Sequence, residues 1–271
     1  MSLLHSVPAE PRPVRCASVP ALPHPRLRRY VVGYAGFASG DGAAVRHRVL
    51  PFALTTLVID VGGRARIVTG PRDTPAVHTR TAWATGVTVG LTPAGASALL
   101  GVPMAELAGA TVPLADVLGG RDREIAERLH AAPDPAARFA VLDEMLTPRP
   151  VPARPADPVV GVAWAMLHRS AGRLRVGALA DRLGVSRRYL ELGFRRQIGL
   201  PPGAVGRIAR FQRAVALLGR GAGPARTAAE CGYADQPHLH RDVRRMAGLT
   251  PATLCALLQD PPATGALASR T

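Results

Sequence analysis

The sequence predicts an α+β N-terminal domain, with a small β portion and helices, followed by an all-α domain that contains two helix–turn–helix units. Three observations support this prediction. Extended, β-branched segments dominate residues 27–91, apolar residues recur at helical spacing from residue 159 onward, and residues 147–158 between them contain five prolines. The chain has 271 residues, 47% of them apolar, which is enough for two domains with buried cores.

The first segment, residues 1–26, is predicted to be irregular because it contains six prolines, each without a backbone donor. Its apolar residues are too scattered for a secretory signal, and the chain has no run of 18 uncharged apolar residues that could span a membrane. Cys16 lies here as a lone thiol, and Cys231 and Cys255 are far away in sequence. This cysteine usage predicts a reducing, cytoplasmic location without a metal-ligating cysteine pair.

Residues 27–146 are predicted to form the α+β domain, with a role in sensing or dimerisation. Residues 52–61 are β-branched and apolar, Gly62 and Gly63 indicate a turn, and residues 64–69 resume the extended pattern, which predicts a β-hairpin. A further strand is predicted over residues 81–91. The period then changes to that of helices, which are predicted over residues 93–100, 113–118, 122–130 and 135–146.

Candidate metal ligands in this domain are weak. His47 lies between Arg46 and Arg48, whose charges disfavour a cation, so His47 is predicted to be a surface residue. His78 is no better placed, and Trp83 is predicted to belong to the core. The sequence shows no glycine-rich phosphate loop, nucleophile elbow or paired carboxylates, so we predict no enzymatic activity, no metal and no cofactor.

Residues 147–158 are predicted to be a proline-rich linker, residues 159–258 an all-α domain, and residues 259–271 a flexible tail. Within residues 159–258, apolar residues recur at helical spacing and are separated by short loops, which predicts seven helices. Their predicted ranges are 159–170, 176–183, 186–198, 202–218, 224–231, 236–246 and 251–258.

The first predicted helix–turn–helix unit spans residues 176–194. Gly184 can end the first helix in a left-handed conformation, and the Ser186 hydroxyl can cap the second. Leu190 and Phe194, four residues apart, would face the core. The side chains left outside are Arg187, Arg188, Glu191 and Arg195.

The second predicted unit spans residues 225–243 and repeats this form. Gly232 takes the turn, Tyr233 packs between the helices, and Asp235 can cap the second helix. Cys231 is predicted to pack inside this unit. The side chains left outside are Gln236, Pro237, His238, Arg241, Arg244 and Arg245.

The charge is concentrated in the C-terminal half. The net charge is +15, and all 34 basic residues are arginine. Residues 1–150 have 16 arginines and 12 acids, net +4, whereas residues 151–271 have 18 arginines and 7 acids, net +11. A uniform coding bias toward arginine would raise both halves alike, so the difference favours a polyanionic partner such as nucleic acid.

Residues 159–258 resemble the DNA-binding domain of AraC-family transcription regulators. The matching residues are Leu179-Ala180, Gly184-Val185-Ser186, Gly199 to Pro202, Arg210 to Leu218, Ala228 to Gln236, His238, Arg241 and Gly248 to Pro251. The N-terminal half is similar to uncharacterised N-terminal regions of such regulators over residues 90–96, 100–107 and 112–118. Three positions depart from the family pattern, since Leu192 replaces an arginine and Leu239 and Val243 replace phenylalanines.

The resemblance implies that two recognition helices enter successive major-groove segments about 34 Å apart. Arg188 and Arg241 would then pair with guanine and Gln236 with adenine. Glu191 would either accept from cytosine or form a salt bridge to Arg188 or Arg195. The other DNA-facing residues are Ser186, Arg187, Pro237 and His238, and the ones assigned to phosphate or solvent include Arg173, Arg195, Arg196, Arg244 and Arg245.

The expected partners are double-stranded DNA, RNA polymerase, a small-molecule effector at the N-terminal domain and a second copy of the chain, with no membrane. The resemblance favours activation over repression. Two alternatives stay open at this point. One is an enzyme or small-molecule-binding protein whose helical domain binds a partner, and the other is a non-specific, architectural DNA-binding protein.

Overall fold

A computed structural model describes residues 4–10, 16–63, 65–148 and 156–258, and for residues 78–81 the backbone only. The predicted tail at 259–271, most of the predicted linker and the side chain of His78 therefore lie outside the described residues. The domain boundaries at 26, 146 and 158 stay predictions.

Antiparallel strands fill the N-terminal half and form two sheets among the described residues. The larger sheet has the order β2-β3-β8-β5-β6-β9, and the smaller one β1-β4-β7. The strands are β1 (Ser6–Pro8), β2 (Cys16–Ala21), β3 (Val31–Ser39), β4 (Val45–Val49), β5 (Thr55–Asp60), β6 (Arg66–Thr69), β7 (Ala76–Trp83), β8 (Thr85–Leu91) and β9 (Thr111–Pro113).

The predicted hairpin over residues 52–69 is confirmed. β5 and β6 pair antiparallel, with Leu57 opposite Val68. The strand predicted over residues 81–91 is instead divided, because β7 belongs to the smaller sheet and β8 to the larger. The buried Asp60 carboxylate fixes this crossover, since its Oδ1 accepts hydrogen bonds from the backbone N–H groups of Ala84 (3.0 Å) and Thr85 (3.1 Å).

The prediction that residues 1–26 are irregular is wrong for two stretches. β1 pairs with β4 and β2 pairs with β3, both antiparallel. Cys16 is exposed at the start of β2 and so lies in a strand rather than in a flexible segment. The prolines are tolerated because β1 and β2 are edge strands, where a missing backbone N–H leaves no neighbour unpaired.

The prediction of His47 as a surface residue is also wrong. Its side chain is buried and stacks on the buried Trp83 ring at a centroid distance of 4.2 Å, and its Nδ1 lies 3.3 Å from the Ser6 hydroxyl. In β4 the side chains alternate, so His47 points inward with Val45 and Val49. Burial lowers the pKa of His47 to about 4. Trp83 belongs to the core, as predicted.

Short helices cover one part of the larger sheet and bury its apolar residues, close to the predicted ranges. Leu57, Val89, Leu114 and Leu129 belong to the resulting cluster. The helices are α1 (Pro93–Gly95), which continues as a π-helical turn over Ala96–Leu100, then α2 (Leu114–Leu118), α3 (Arg121–Ala131) and α4 (Pro135–Met145), with a 3₁₀ turn at Met104–Leu107.

Seven helices follow among the described residues of the C-terminal half, as predicted. Each begins and ends within one or two residues of its predicted range. They are α5 (Pro158–Arg169), α6 (Val176–Leu183), α7 (Arg187–Gln197), α8 (Pro202–Gly219), α9 (Pro224–Cys231), α10 (Gln236–Ala247) and α11 (Pro251–Leu258). Within the described ranges, every helix is too short or too polar to cross a lipid bilayer.

The two halves share one apolar cluster. Leu50, Phe52 and Met104 of the N-terminal half are buried together with Phe194 and Phe211 of the helical half. Buried polar groups fix the contact as well, since the Trp164 indole N–H donates to the Ala53 carbonyl at 3.2 Å. The helical domain is therefore seated on the β-sheet domain.

Candidate nucleic-acid interface

The first helix–turn–helix unit is formed by α6 and α7, and its turn has the predicted geometry. Gly184 ends α6 in the left-handed region with φ of 64°. Behind it, the Val185 N–H donates to the Ala180 carbonyl at 3.1 Å. The Ser186 hydroxyl then accepts from the Tyr189 N–H at 3.1 Å, which caps α7. The Ser186 hydroxyl is thus occupied in forming the helix terminus.

The recognition helix α7 has one buried and one exposed face. Leu190 and Phe194 are buried on the side toward α5 and α8. Four arginines of α7 are exposed, and Glu191 is half-buried with its Oε2 4.0 Å from the Arg195 Nε. This loose ion pair favours the salt-bridge alternative for Glu191. The exposed arginines are Arg187, Arg188, Arg195 and Arg196.

Arg187 and Leu192 depart from the pattern of basic side chains that extend from the exposed face of α7 into solvent. The Arg187 guanidinium leans back over α6, where its Nη2 would overlap a Cβ placed on Gly177. Leu192 is 57% exposed, one helical turn after Arg188 on the same side of α7. An apolar side chain therefore interrupts the basic face of the first recognition helix.

The second unit is formed by α9 and α10. Gly232 ends α9 with φ of 72°, and the Tyr233 N–H donates to the Ala228 carbonyl at 3.0 Å. Asp235 caps α10, since its Oδ1 accepts from the His238 N–H at 2.6 Å. Both units thus share the same turn and the same kind of cap, as the sequence predicts.

The exposed face of α10 presents most of the predicted residues. The buried face consists of Leu239, Val243 and Met246, so the smaller replacements still fill their core. Gln236 lies at the start of α10, with its Nε2 3.4 Å from the His240 Nε2. The exposed side chains are Gln236, Pro237, Arg241, Arg244 and Arg245.

His238 is placed differently from the other predicted residues. Its ring is half-buried and lies edge-on to the Tyr233 ring at 5.2 Å, and its Nδ1 accepts from the Ala234 N–H at 3.4 Å. His238 therefore supports the turn of the second unit, and its Nε2 is the ring nitrogen left for a ligand.

Sequence reasoning missed a polar cluster that orients α10. The Tyr233 hydroxyl donates to the buried Asp242 Oδ2 at 2.9 Å, and the Arg210 guanidinium lies 4.6 Å from the Tyr233 ring centre and 4.0 Å from the same carboxylate. Burial and the Asp242 charge raise the pKa of Tyr233. The signal was present in the sequence, because Asp242 interrupts the apolar stripe of α10 and a buried carboxylate requires partners.

The chemistry of this surface is that of a binding site. Guanidinium and amide donors can bond base edges and phosphates. Among the described residues, no group of three histidine, cysteine or acidic side chains is arranged to hold a metal ion. Cys231 is buried inside the second unit, as predicted, and burial raises the pKa of its thiol.

Comparison with known proteins gives two matches to family models. Residues 179–256 match a helix-turn-helix domain, and residues 20–113 match a domain of unknown function, DUF6597. The comparison with curated proteins gave no match.

The chain is also similar to several solved structures. One is a transcriptional regulator of the AraC-type DNA-binding domain-containing proteins from Chromobacterium violaceum, 26% identical, which covers 38% of this chain and 95% of that one with a TM-score of 0.36. A probable AraC family transcriptional regulator from Rhodopseudomonas palustris CGA009 is 28% identical over 36% of this chain and 95% of that one, with a TM-score of 0.33. ToxT from Vibrio cholerae O395 is 9% identical over 92% of this chain and 99% of that one, with a TM-score of 0.44.

The family match at residues 179–256 covers both structural units, each with a left-handed glycine turn, a capped recognition helix and an exposed basic face. These features agree with the resemblance found in the sequence. The chain therefore contains a helix-turn-helix domain over residues 179–256 and is a DNA-binding transcription regulator similar to those of the AraC type.

Proposed function

We propose that α7 and α10 enter two successive major-groove segments on one face of DNA and read a site made of two short blocks. The observation that supports this most directly is the matching build of the two helices. Each is capped at the end that leads into the groove, buried on one side and arginine-rich on the other. N-terminal residues of such helices contact base edges in the helix–turn–helix geometry.

The proposed base-reading residues are Arg188 in α7 and Gln236 and Arg241 in α10. Both arginines are exposed and can donate two hydrogen bonds to a guanine edge, and Gln236 can pair with adenine. Arg195, Arg244 and Arg245 lie farther along their helices and are assigned to phosphates. The remaining residues at this surface are Ser186, Arg187, Glu191, Pro237 and His238.

The β-sheet domain is proposed to sense a small molecule or to dimerise, and to act in the cytoplasm where the DNA is. Its position supports a regulatory role. A Cβ on Gly199, just after α7, would overlap the Ala108 Cβ, and one on Gly248, just after α10, would lie 3.1 Å from the Arg48 Nη1. The domain thus contacts the C-terminal ends of both recognition helices and leaves their N-terminal ends to DNA.

Activation through RNA polymerase and formation of a homodimer complete the proposal. The edge strand β2 of the larger sheet offers one surface for a second copy. Light scattering with and without DNA checks the dimer, and transcription in vitro from a promoter that contains the selected site checks activation.

The decisive experiment is in vitro selection of random duplex DNA by the full chain at near-physiological salt. Two enriched blocks whose centres lie about one helical turn apart would support reading by both units. Salt-sensitive binding without enrichment would overturn specific reading and favour the architectural alternative. No binding together with turnover of a small molecule would favour the enzyme alternative.

A further inference from the structure

A groove of about 490 Å³ opens between the end of α5 and the helix α6. Its apolar lining is formed by Met166 and Leu174. The groove is lined by Met166, Arg169, Ser170, Arg173, Leu174 and Arg182, and we call it the arginine groove.

The charges of the arginine groove are uncompensated. Arg169, Arg173 and Arg182 are exposed, and no carboxylate lines the groove. Within the described part of the chain, none of the three guanidinium groups has an ion-pair partner within 4.0 Å. Three like charges around one groove repel each other, so an anion bound there would stabilise the arrangement.

The arginine groove begins at α6 of the first helix–turn–helix unit, and one of its arginines, Arg173, contacts the turn of the second unit. Arg182 lies in the last turn of α6, two residues before the glycine turn at Gly184. Gly232 forms the turn of the second unit. The Arg173 Cγ would lie 4.0 Å from a Cβ placed on this glycine. Each of these turns leads directly into a recognition helix.

We propose that the arginine groove binds the phosphates of the DNA backbone segment that runs between the two major-groove blocks. This proposal rests on the proposed function. Arg182 and Arg173 lie beside the two turns, so a DNA strand that passes from one recognition helix to the other would run past these arginines. Guanidinium groups suit phosphate oxygens because they donate in a planar fork, and the apolar lining suits deoxyribose. The groove would fix the register of the two units on DNA without reading bases.

The first test measures affinity against salt concentration for the full chain on its selected site. Arg169→Gln, Arg173→Gln and Arg182→Gln are compared singly and together, with Arg123→Gln as control, since Arg123 is an exposed arginine of the β-sheet domain. We expect each groove variant that removes one phosphate contact to flatten the slope of log Kd against log salt by about 0.9. The selected base sequence should not change. A triple variant with the slope of the control would overturn the proposal.

The second test identifies which DNA phosphates the arginine groove contacts. Neutral methylphosphonates replace the phosphates between the two blocks, on one strand at a time. Wild type should lose affinity on the modified DNA, whereas the triple variant, already weaker, should lose little more. Equal losses for both proteins would show that the groove and these phosphates do not interact, and would overturn the proposal.

The outcomes separate this proposal from the proposed function. If wild type selects no site, the proposed function fails before the groove is tested. If wild type selects its site but the groove variants bind it as the control does, the groove proposal alone fails. Saturable binding of pyrophosphate that only the triple variant loses, with DNA affinity unchanged, would likewise overturn it and assign the groove to a small anion.

Discussion

Gln212 and Leu4 form a reciprocal pair of hydrogen bonds between the helical domain and the N-terminal strand region. The Leu4 N–H donates to the Gln212 Oε1 at 3.2 Å, and the Gln212 Nε2 donates back to the Leu4 carbonyl at 3.1 Å. The same Nε2 also donates to the Pro51 carbonyl at 2.9 Å. Gln212 is buried in the middle of α8, the helix between the two helix–turn–helix units. Its side chain therefore connects this helix to the β-sheet domain.

Replacing Gln212 by methionine should destabilise the protein. The substitution retains the length of the side chain but leaves the Leu4 and Pro51 backbone groups without their partner, at about 1–3 kcal/mol for each buried unsatisfied group. We expect the free energy of unfolding, measured with urea, to fall by about 2 kcal/mol or more. Gln197→Met is the control, because Gln197 is half-buried at the end of α7. Equal effects of both substitutions would contradict the assigned role of Gln212.

Arg241→Ala should weaken binding to the selected DNA by roughly 1–3 kcal/mol and relax one base position. Arg241 is exposed on α10, so its loss should not disturb the fold. Arg123→Ala removes the same charge from the β-sheet domain and serves as the control. Binding constants and a repeated selection measure both effects, and an unchanged affinity with an unchanged logo would remove Arg241 from base reading.

Leu192 should contact a thymine methyl group. It is 57% exposed on the same side of α7 as Arg188 and Arg195, and apolar side chains contact that methyl in the major groove. Uracil in place of thymine removes only the methyl. We expect wild type to lose about fourfold in affinity at one position of the first block, which corresponds to about 0.8 kcal/mol for one buried carbon.

Leu192→Ala should bind the thymine and uracil versions of the site equally well. Val162→Ala is a matched control, since Val162 is an exposed apolar residue of α5. If replacing each thymine of the first block by uracil leaves the affinity unchanged, Leu192 does not contact a thymine methyl group.

The stability of the protein should fall as the pH decreases from about 7 toward 5. The pKa of His47 is lowered to about 4 by burial, so between that value and its ordinary 6.5 the unfolded chain binds a proton that the folded chain does not. This group alone should remove roughly 2 kcal/mol over the interval. Burial lowers the pKa of His168 to about 4 as well, with the same sign.

His47→Phe tests this, because phenylalanine can still stack on Trp83 but does not titrate. Unfolding free energies at several pH values should show a shallower decline for the variant than for wild type, with the part due to His168 retained. An identical decline in the two proteins would mean that His47 is not the linked group.

The helical half was predictable in detail because its signals are local. Gly184 and Gly232 have left-handed turns, Ser186 and Asp235 cap the following helices, and these features depend on residues only a few positions apart. The hairpin between β5 and β6 was predictable for the same reason, since a glycine pair and alternating residues specify it.

Residues that act through distant partners were not predictable. The charged neighbours of His47 predict an exposed side chain, whereas its burial depends on Trp83 in another strand. Residues 6–8 pair with residues of β4 that lie 39–43 positions away, and residues 16–21 pair with residues of β3 that lie 13–23 positions away. Asp242 likewise takes its role from Arg210 and Tyr233.

The two helix–turn–helix units, their caps and their basic faces follow from local sequence, because turn chemistry and helical periodicity depend on neighbouring residues. The packing of the β-sheet domain on the helical domain, and the meeting of Arg169, Arg173 and Arg182 in one groove, depend on long-range contacts of the folded chain. Burial and charge clustering depend on which distant segments pack against each other. Local sequence patterns do not specify these long-range contacts.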